Sequence, residues 1–312
     1  MMKLVSIVIP TFNEISNVEI LSNEIINLFN DSIPNYQYEI IFIDNHSTDG
    51  TKEKIEELCN KNKQIKAIFN TKNFGQIRSP VYGLKQAFGD CVIRMSADFQ
   101  EPISLIPDFI REWENGWKIV IGIKETSEEN SLMYFFRTCY YKVFKLISDV
   151  DHITHFTGFG LYDKKFIDII RNINDPLPYL RGIVAELGYD YKSIPYRQNK
   201  RRSGKSKNNF FTLYDYAMIG ITSYSKVVMR LATIFGFLIS GISFLIGLIY
   251  LILKLIYWDR FQAGAAPILI GVFFFSAIQL FFIGILGEYL MNINIRVMNR
   301  PLVIEEKRIN FE

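Results

Sequence analysis

The chain has 312 residues, is 49% hydrophobic and 15% aromatic, and carries a formal net charge of +3. That charge is too small to point to nucleic acid. Three widely spaced cysteines, Cys59, Cys91 and Cys139, form no CxxC pair, which argues against a disulfide framework and a zinc site.

The apolar residues concentrate after Arg230, so a globular first two-thirds precedes a strongly apolar remainder. The stretch from Met1 to Pro10 lacks the long apolar core of a signal peptide and runs straight into a strand, Leu4 to Pro10. The globular part is therefore expected in the cytoplasm. Thr11-Phe12-Asn13-Glu14 is a polar loop, and Ile15, Val18, Leu21, Ile25 and Leu28 predict a helix to about Phe29. Glu39 to Ile43 is a second buried strand, ending in Asp44-Asn45-His46-Ser47-Thr48-Asp49-Gly50-Thr51, a loop of turn residues with a helix N-cap. A helix follows from Lys52 to Asn60. Ile65 to Phe69 is a third strand, and Asn73-Phe74-Gly75-Gln76 leads into a helix reaching about Phe88. Cys91 to Met95 is a fourth strand and Ile119 to Ile123 a fifth. Strands alternating with helices predict a mostly parallel sheet covered on both faces.

In such a sheet ligands sit beyond the carboxyl ends of the strands. Three strand ends carry polar loops, each with an acid: Glu14, Asp44 and Asp98. Helix capping is the plain alternative for such acids, but Asp44 and Asp98 stand directly at strand ends. Asp98 and Gln100 supply a carboxylate and an amide oxygen two residues apart, which suits a hard divalent cation that fills its other positions with water and substrate phosphate. A surface turn after a core strand is the competing reading. The absence of a Walker A loop and of GxGxxG disfavours a P-loop NTPase or a dinucleotide dehydrogenase. Phosphates would then have to be met by metal and by basic side chains. Lys200-Arg201-Arg202-Ser203-Gly204-Lys205-Ser206-Lys207 is suited to phosphate, or to an anionic membrane surface.

Phe210 to Arg230 has an apolar and aromatic face, as expected of an interfacial amphipathic helix or of an ordinary core helix. Leu231–Leu253 and Ala265–Gly287 are two uncharged runs of about 23 residues each, long enough to span a bilayer. Lys226 and Arg230 before the first, and Arg296, Arg300, Lys307 and Arg308 after the second, place both ends in the cytoplasm by the positive-inside rule. Small residues in both runs, among them Gly236, Gly241, Gly247, Gly271, Gly284 and Gly287, predict a closely packed hairpin.

Taken together these stretches resemble the polyisoprenyl-phosphate glycosyltransferases of glycosyltransferase family 2, over nearly the whole chain. Val8-Ile9-Pro10-Thr11-Phe12-Asn13-Glu14 is similar to the family's PxYNE, and Phe42 to Thr51 to its VDDGSTDGT. Asn73-Phe74-Gly75 is similar to its NxG loop, and Ser96 to Pro102 to its DADLQDPP. Arg181-Gly182 resembles its RG pair, Arg202 to Ser206 its RxxGxS, and Gly284 to Tyr289 with Arg300-Pro301 the end of its bactoprenol branch. The resemblance implies a GT-A catalytic domain over 1–208, an interfacial region over 209–230, two transmembrane helices (about 231–253 and 265–287) within 231–291, and a cytoplasmic tail over 292–312. It implies inverting transfer of one hexose from a nucleotide sugar, UDP-glucose first among UDP-sugars, to undecaprenyl or another polyprenyl phosphate at the plasma membrane. Pro10, Phe12, Glu14, Asp44, Asn73, Gly75 and Ala97 would bind the nucleotide. Asp98 and Gln100 would hold Mg²⁺ or Mn²⁺. Arg202, Lys205 and Ser206 would meet phosphate, with Asp98 and Arg202 as the catalytic pair. Homo-oligomerisation is left open.

Three positions depart from the family pattern. Ser96 replaces the first acid of the DxD, where its hydroxyl can reach a metal only through water. Thr157-Gly158-Phe159-Gly160-Leu161 stands in place of GDFRL, without its acid and arginine. Lys124 stands where the family often has arginine. The lipid phosphate is already ionised at neutral pH, so no strong base is needed, and Glu101 is expected to be structural. Two rival readings are a processive polysaccharide synthase, against which the lack of a QxxRW motif counts, and an inactive membrane scaffold, raised by Ser96.

Overall fold

Three apolar runs form the centre of the sheet: β1 (Lys3–Thr11), β2 (Tyr36–Asp44) and β3 (Ile65–Asn70). They are parallel neighbours, with Thr11 opposite Asp44 at the carboxyl ends of β1 and β2. The computed structural model describes residues 2–126, 148, 150, 153–199, 202, 210–257 and 265–311. Those residues divide into two compact units, one holding residues up to 126, 153–199, 202, 210 and 295–311, the other 148, 150, 211–257 and 265–294.

In the first unit α1 (Ile15–Asp31), α2 (Thr51–Lys61) and α3 (Gly75–Gln86) connect the strands up to β4 (Cys91–Arg94). Then come α4 (Ile106–Glu114), β5 (Ile119–Thr126), β6 (Phe156–Asp163), α5 (Lys164–Asn172), α6 (Leu180–Glu186) and β7 (Tyr191–Arg197). A tail strand, β8 (Glu305–Ile309), completes an eight-stranded sheet of order β7-β5-β6-β4-β1-β2-β3-β8. The pairs β1–β2, β1–β4, β2–β3 and β5–β7 are parallel, whereas β3–β8, β4–β6 and β5–β6 are antiparallel. The sheet is thus mixed, with an unbroken parallel block, β4-β1-β2-β3, at the candidate site.

Strand alternation divides the core. Val5, Ile7, Ile9 and Phe42 face α1, α2 and α4 through Leu21, Ile25, Ile55 and Phe109. Val8, Ile41 and Ile43 pack on the other side with Val81 and Leu84 of α3 and with Phe166 and Ile170 of α5. Cover on both faces is why β1 and β2 read as continuous apolar runs rather than alternating ones. Gly83 of α3 lies so close to the sheet that a Cβ there would come within 2.7 Å of Val8 Cγ1.

The second unit contains α7 (Phe210–Tyr224), α8 (Val227–Ile256) and α9 (Ala265–Met298), whose last residues belong to the first unit. Two helical segments, Val227–Ile256 and Gly271–Met298, are long and apolar enough to cross a membrane, and no residue in the apolar window of either is buried. The glycine-based packing expected between them is not found. A Cβ on Gly236, Gly241, Gly247, Gly271, Gly284 or Gly287 meets no heavy atom within 4 Å. Large side chains, Phe235 and Ile239 on α8 and Phe274, Ile278 and Phe281 on α9, line an open apolar groove instead. Polar contacts join α7 to the end of α9: Tyr214 OH donates to Glu288 at 2.9 Å, and Asn292 Nδ2 to Thr222 Oγ1 at 2.7 Å.

Candidate active site

The loops after β1 and β2 interlock. Asn13, with φ +58, donates from its backbone N–H to Ser47 Oγ at 2.8 Å, and its side-chain oxygen accepts from Thr48 N at 2.8 Å. Glu14 N donates to Thr51 Oγ1 at 2.8 Å and Ile15 N to Asp49 at 3.3 Å. Gly50, with φ +95, turns the chain into α2 where few other residues fit. Partial burial pushes the Asp49 carboxyl up, but hydrogen bonds from Thr51 and Ile15 outweigh it and hold its pKa below the ordinary value. Asn13, Ser47 and Thr51 were not singled out from sequence. Their signal was the density of Asn, Ser and Thr in two loops that close on each other.

Asp44 is 1% exposed and accepts hydrogen bonds from Ser47 N at 2.9 Å, the Ser47 hydroxyl, and Thr11 Oγ1 at 3.3 Å. Burial nonetheless raises its pKa, with Asp49 adding repulsion. A raised carboxyl pKa stabilises the fold below the ordinary aspartate range, and that contribution is lost as pH climbs through the folded value. Asp44→Asn is therefore expected to unfold no more easily than the native chain at neutral pH, within about 1 kcal/mol, and to show a flatter stability profile on acidification. Chemical denaturation across the acidic range checks this, and a large loss of stability at neutral pH would contradict it.

Beyond β3, Asn45 Oδ1 accepts from Asn70 Nδ2 at 3.1 Å and Phe74 N at 3.3 Å. Asn73 Oδ1 accepts from Gly75 N at 2.8 Å, and Gly75 takes φ +83. Asn73 and Gly75 thus sit in one tight turn tied to the loop after β2. Pro10 is half-buried at the end of β1, Phe12 lies half-buried in the loop beyond it, and Ala97 is buried.

β4 delivers the acidic loop. Met95 N donates to Val8 O at 3.1 Å, which sets the loop beside the end of β1. Asp98 is 6% exposed, and its Oδ1 accepts from Gln100 N at 3.3 Å. Phe99 between them takes φ +61, so Asp98 and Gln100 share one sharp turn. Their carboxylate and amide oxygens form a hard donor set that can give a divalent cation two ligands, leaving the rest to diphosphate and water. The described residues hold no group of three or more His, Cys, Asp or Glu fit for a metal.

Ser96 is turned to another use. Its N–H and hydroxyl both donate to Glu101 Oε2, at 2.7 and 3.0 Å. Glu101 is 5% exposed, accepts from Thr157 Oγ1 at 2.9 Å, and faces Arg94 at 3.9 Å. Arg94 is opposite Gly160 in the β4–β6 register and lies against Gly158, where a Cβ would be 3.1 Å from its Nη1. An arginine and an acid from β4 and its loop thus occupy the space beside the two glycines of β6.

Arg202 comes to the same loop. Asn199 N donates to Gln100 O at 3.3 Å, and the Arg202 guanidinium lies 5.2 Å from the centre of the Phe99 ring. Arg202 is 51% exposed and pairs with Glu24 at 3.6 Å. Lys205 and Ser206 lie outside the described residues.

A sheet whose parallel block presents interlocked loops after β1 and β2, with an acidic turn after β4, is the GT-A fold of glycosyltransferases. The sequence profile of Glycosyl transferase family 2 matches residues 6–188, and the chain belongs to that family. It is 31% identical over 304 residues to an SfII prophage-derived bactoprenol glucosyl transferase of Shigella flexneri, covering 97% of each chain. It is 29% identical to the putative glycosyltransferase CsbB of Bacillus subtilis (strain 168), over 98% of this chain and 92% of that one. Among solved structures, mannosyl-3-phosphoglycerate synthase from Rubrobacter xylanophilus shares the fold, with a TM-score of 0.50 at 14% identity over 75% of each chain.

Proposed function

We propose that this glycosyltransferase moves a single hexose from a UDP-sugar, UDP-glucose first, to a polyprenyl phosphate such as undecaprenyl phosphate at the cytoplasmic face of the plasma membrane, with inversion. One observation carries the reading. Similarity to the Shigella flexneri bactoprenol glucosyl transferase runs through 97% of both chains, so it takes in the two apolar helices as well as the catalytic unit. The chain leaves the sheet-bearing unit after residue 210 and rejoins it by residue 295. Two crossings by α8 and α9 satisfy that path, and both ends then lie on the catalytic side, in agreement with the basic residues flanking the spans. The layout is a catalytic domain to about residue 208, an interfacial region to about residue 230, spans near 231–253 and 265–287, and a cytoplasmic tail from about residue 292 whose strand β8 returns to the catalytic sheet.

The acceptor phosphate is an anion before it binds, and Glu101 is committed to Ser96, Thr157 and Arg94. The reaction therefore needs placement and charge stabilisation rather than a base. Pro10, Phe12, Glu14 and Asp44 hold the nucleoside, with Asn73, Gly75 and Ala97 shaping the same pocket. Asp98 and Gln100 would hold Mg²⁺ or Mn²⁺, which would supply positive charge for the departing diphosphate. A phosphate oxygen forms a bond to the anomeric carbon as the bond to the diphosphate breaks on the opposite face. Arg202, joined by Lys205 and Ser206, receives phosphate. Its exposed pairing with Glu24 is of the weak kind that an incoming phosphate displaces.

A panel of nucleotide sugars, offered with undecaprenyl phosphate or with the unphosphorylated alcohol, tests the reading. Nucleotide release from one donor that depends on the lipid phosphate is expected. Equal release with the alcohol would contradict it. In Arg202→Ala the KM for the lipid phosphate is expected to rise about tenfold, with the donor KM within about twofold. Unchanged kinetics would refute the role given to Arg202.

A further inference from the structure

After α9 the chain returns to the sheet and adds β8 to its edge, antiparallel to β3. The strand's sequence, Glu305-Glu306-Lys307-Arg308-Ile309, is mostly charged, with Val303, Ile309 and Phe311 packing on the core beside it. Lys307 pairs with Glu56, Arg308 with Gln86 and Glu305, and Asn310 donates to Cys59 O and Ile65 O; three further contacts reach toward the candidate site. Ile304 O accepts from both Thr71 N, at 3.0 Å, and Thr71 Oγ1, at 3.3 Å. Glu305 accepts from Tyr82 OH at 2.8 Å, and Glu306 pairs with Lys52 at 2.7 Å.

Each point adjoins a loop of the candidate site. Thr71 opens the segment that runs to Asn73 and Gly75. Tyr82 lies on α3, which begins at Gly75. Lys52 follows Thr51, whose hydroxyl accepts from Glu14 N and donates to Asp49. The tail therefore holds Thr71, the middle of α3 and the start of α2, next to both loops on the β2–β3 side of the sheet.

We infer that β8 is a clasp whose acids, Glu305 and Glu306, position the loops Asp44–Thr51 and Thr71–Gly75 for donor binding. The inference rests on reading those loops as the nucleotide site. These are positioning residues, acting through Tyr82 and Lys52 without touching substrate. Loops held by a few polar contacts open at low free-energy cost, so a loosened clasp shows as weaker donor binding before it shows as unfolding.

The test uses the full chain with Glu305→Ala/Glu306→Ala, and a companion Glu305→Gln/Glu306→Gln that keeps acceptor oxygens for Tyr82 and Lys52. The alanine pair is expected to raise the donor KM about tenfold, with kcat and acceptor KM within about twofold. Amide exchange at Phe74 and Gly75, measured without substrate, should quicken, and the glutamine pair should restore most of both effects. Unchanged exchange overturns the clasp. So does a parallel loss in every kinetic parameter together with a lower thermal midpoint. Faster exchange in a chain that turns over no donor leaves the clasp standing and overturns the nucleotide reading of the loops.

Discussion

Replacing Asp98 by alanine is expected to cut turnover at least about a hundredfold. Asp98 is the carboxylate of the Asp98–Gln100 turn, Gln100 is neutral, and Glu101 beyond it is committed to Ser96, Thr157 and Arg94, so the substitution removes the anionic ligand that turn offers a divalent cation. Ser96 does not compensate, because both its N–H and its hydroxyl point to Glu101. The loss should fall on kcat more than on the donor KM, since stabilisation of the leaving diphosphate is needed most in the transition state. Steady-state kinetics across a metal titration checks this. Turnover within about threefold of the native chain would remove Asp98 from the mechanism.

Loss of Glu101 is expected to act on the fold itself. Its carboxylate accepts from Ser96 N, Ser96 Oγ and Thr157 Oγ1, and it is the buried acid facing Arg94. Glu101→Ala would strand those donors and leave the Arg94 guanidinium, 14% exposed, without its acid. Removing one member of such a buried pair costs about 3–5 kcal/mol, a large share of the roughly 5–15 kcal/mol that holds a domain together. Glu101→Gln keeps acceptor oxygen but not the charge, so a smaller loss of about 1–2 kcal/mol is expected. Denaturation followed by the fluorescence of Trp113, buried on α4, measures both. A cost below about 1 kcal/mol for the alanine variant would show that the cluster does not hold the loop.

The parallel block was legible because its strands are covered on both faces. Continuous apolar runs marked β1 to β4, and the loop chemistry at their ends marked the candidate site. The strands beyond that block were harder to read. β6 carries Gly158 and Gly160, which dilute its apolar pattern: a Cβ on Gly160 would come within 2.5 Å of Val120 O, so the backbone's close approach dictates the residue. β7 and β8 are mostly exposed edge strands, β7 carrying Lys192, Pro195 and Arg197 and β8 almost wholly charged, which suits an edge that must not recruit another chain but hides a strand from any apolar pattern. The strand within the cytoplasmic tail was not legible because nothing local in EEKRI reveals a partner more than two hundred residues earlier in the chain. Within the site, Asp98, Gln100 and Arg202 stood out by residue type. The diversion of Ser96 to Glu101, and the placing of Arg94 against Gly158, are cross-strand facts that only the register supplies.

The most direct test of the account is the mass of the lipid formed when the full-length chain, in vesicles containing undecaprenyl phosphate, is given the donor panel with Mg²⁺ or Mn²⁺. The account predicts a lipid phosphate heavier by one hexose from at least one UDP-sugar, and no product from the phosphate-free alcohol. A product bearing several sugars, or no lipid-linked sugar from any donor, would contradict it.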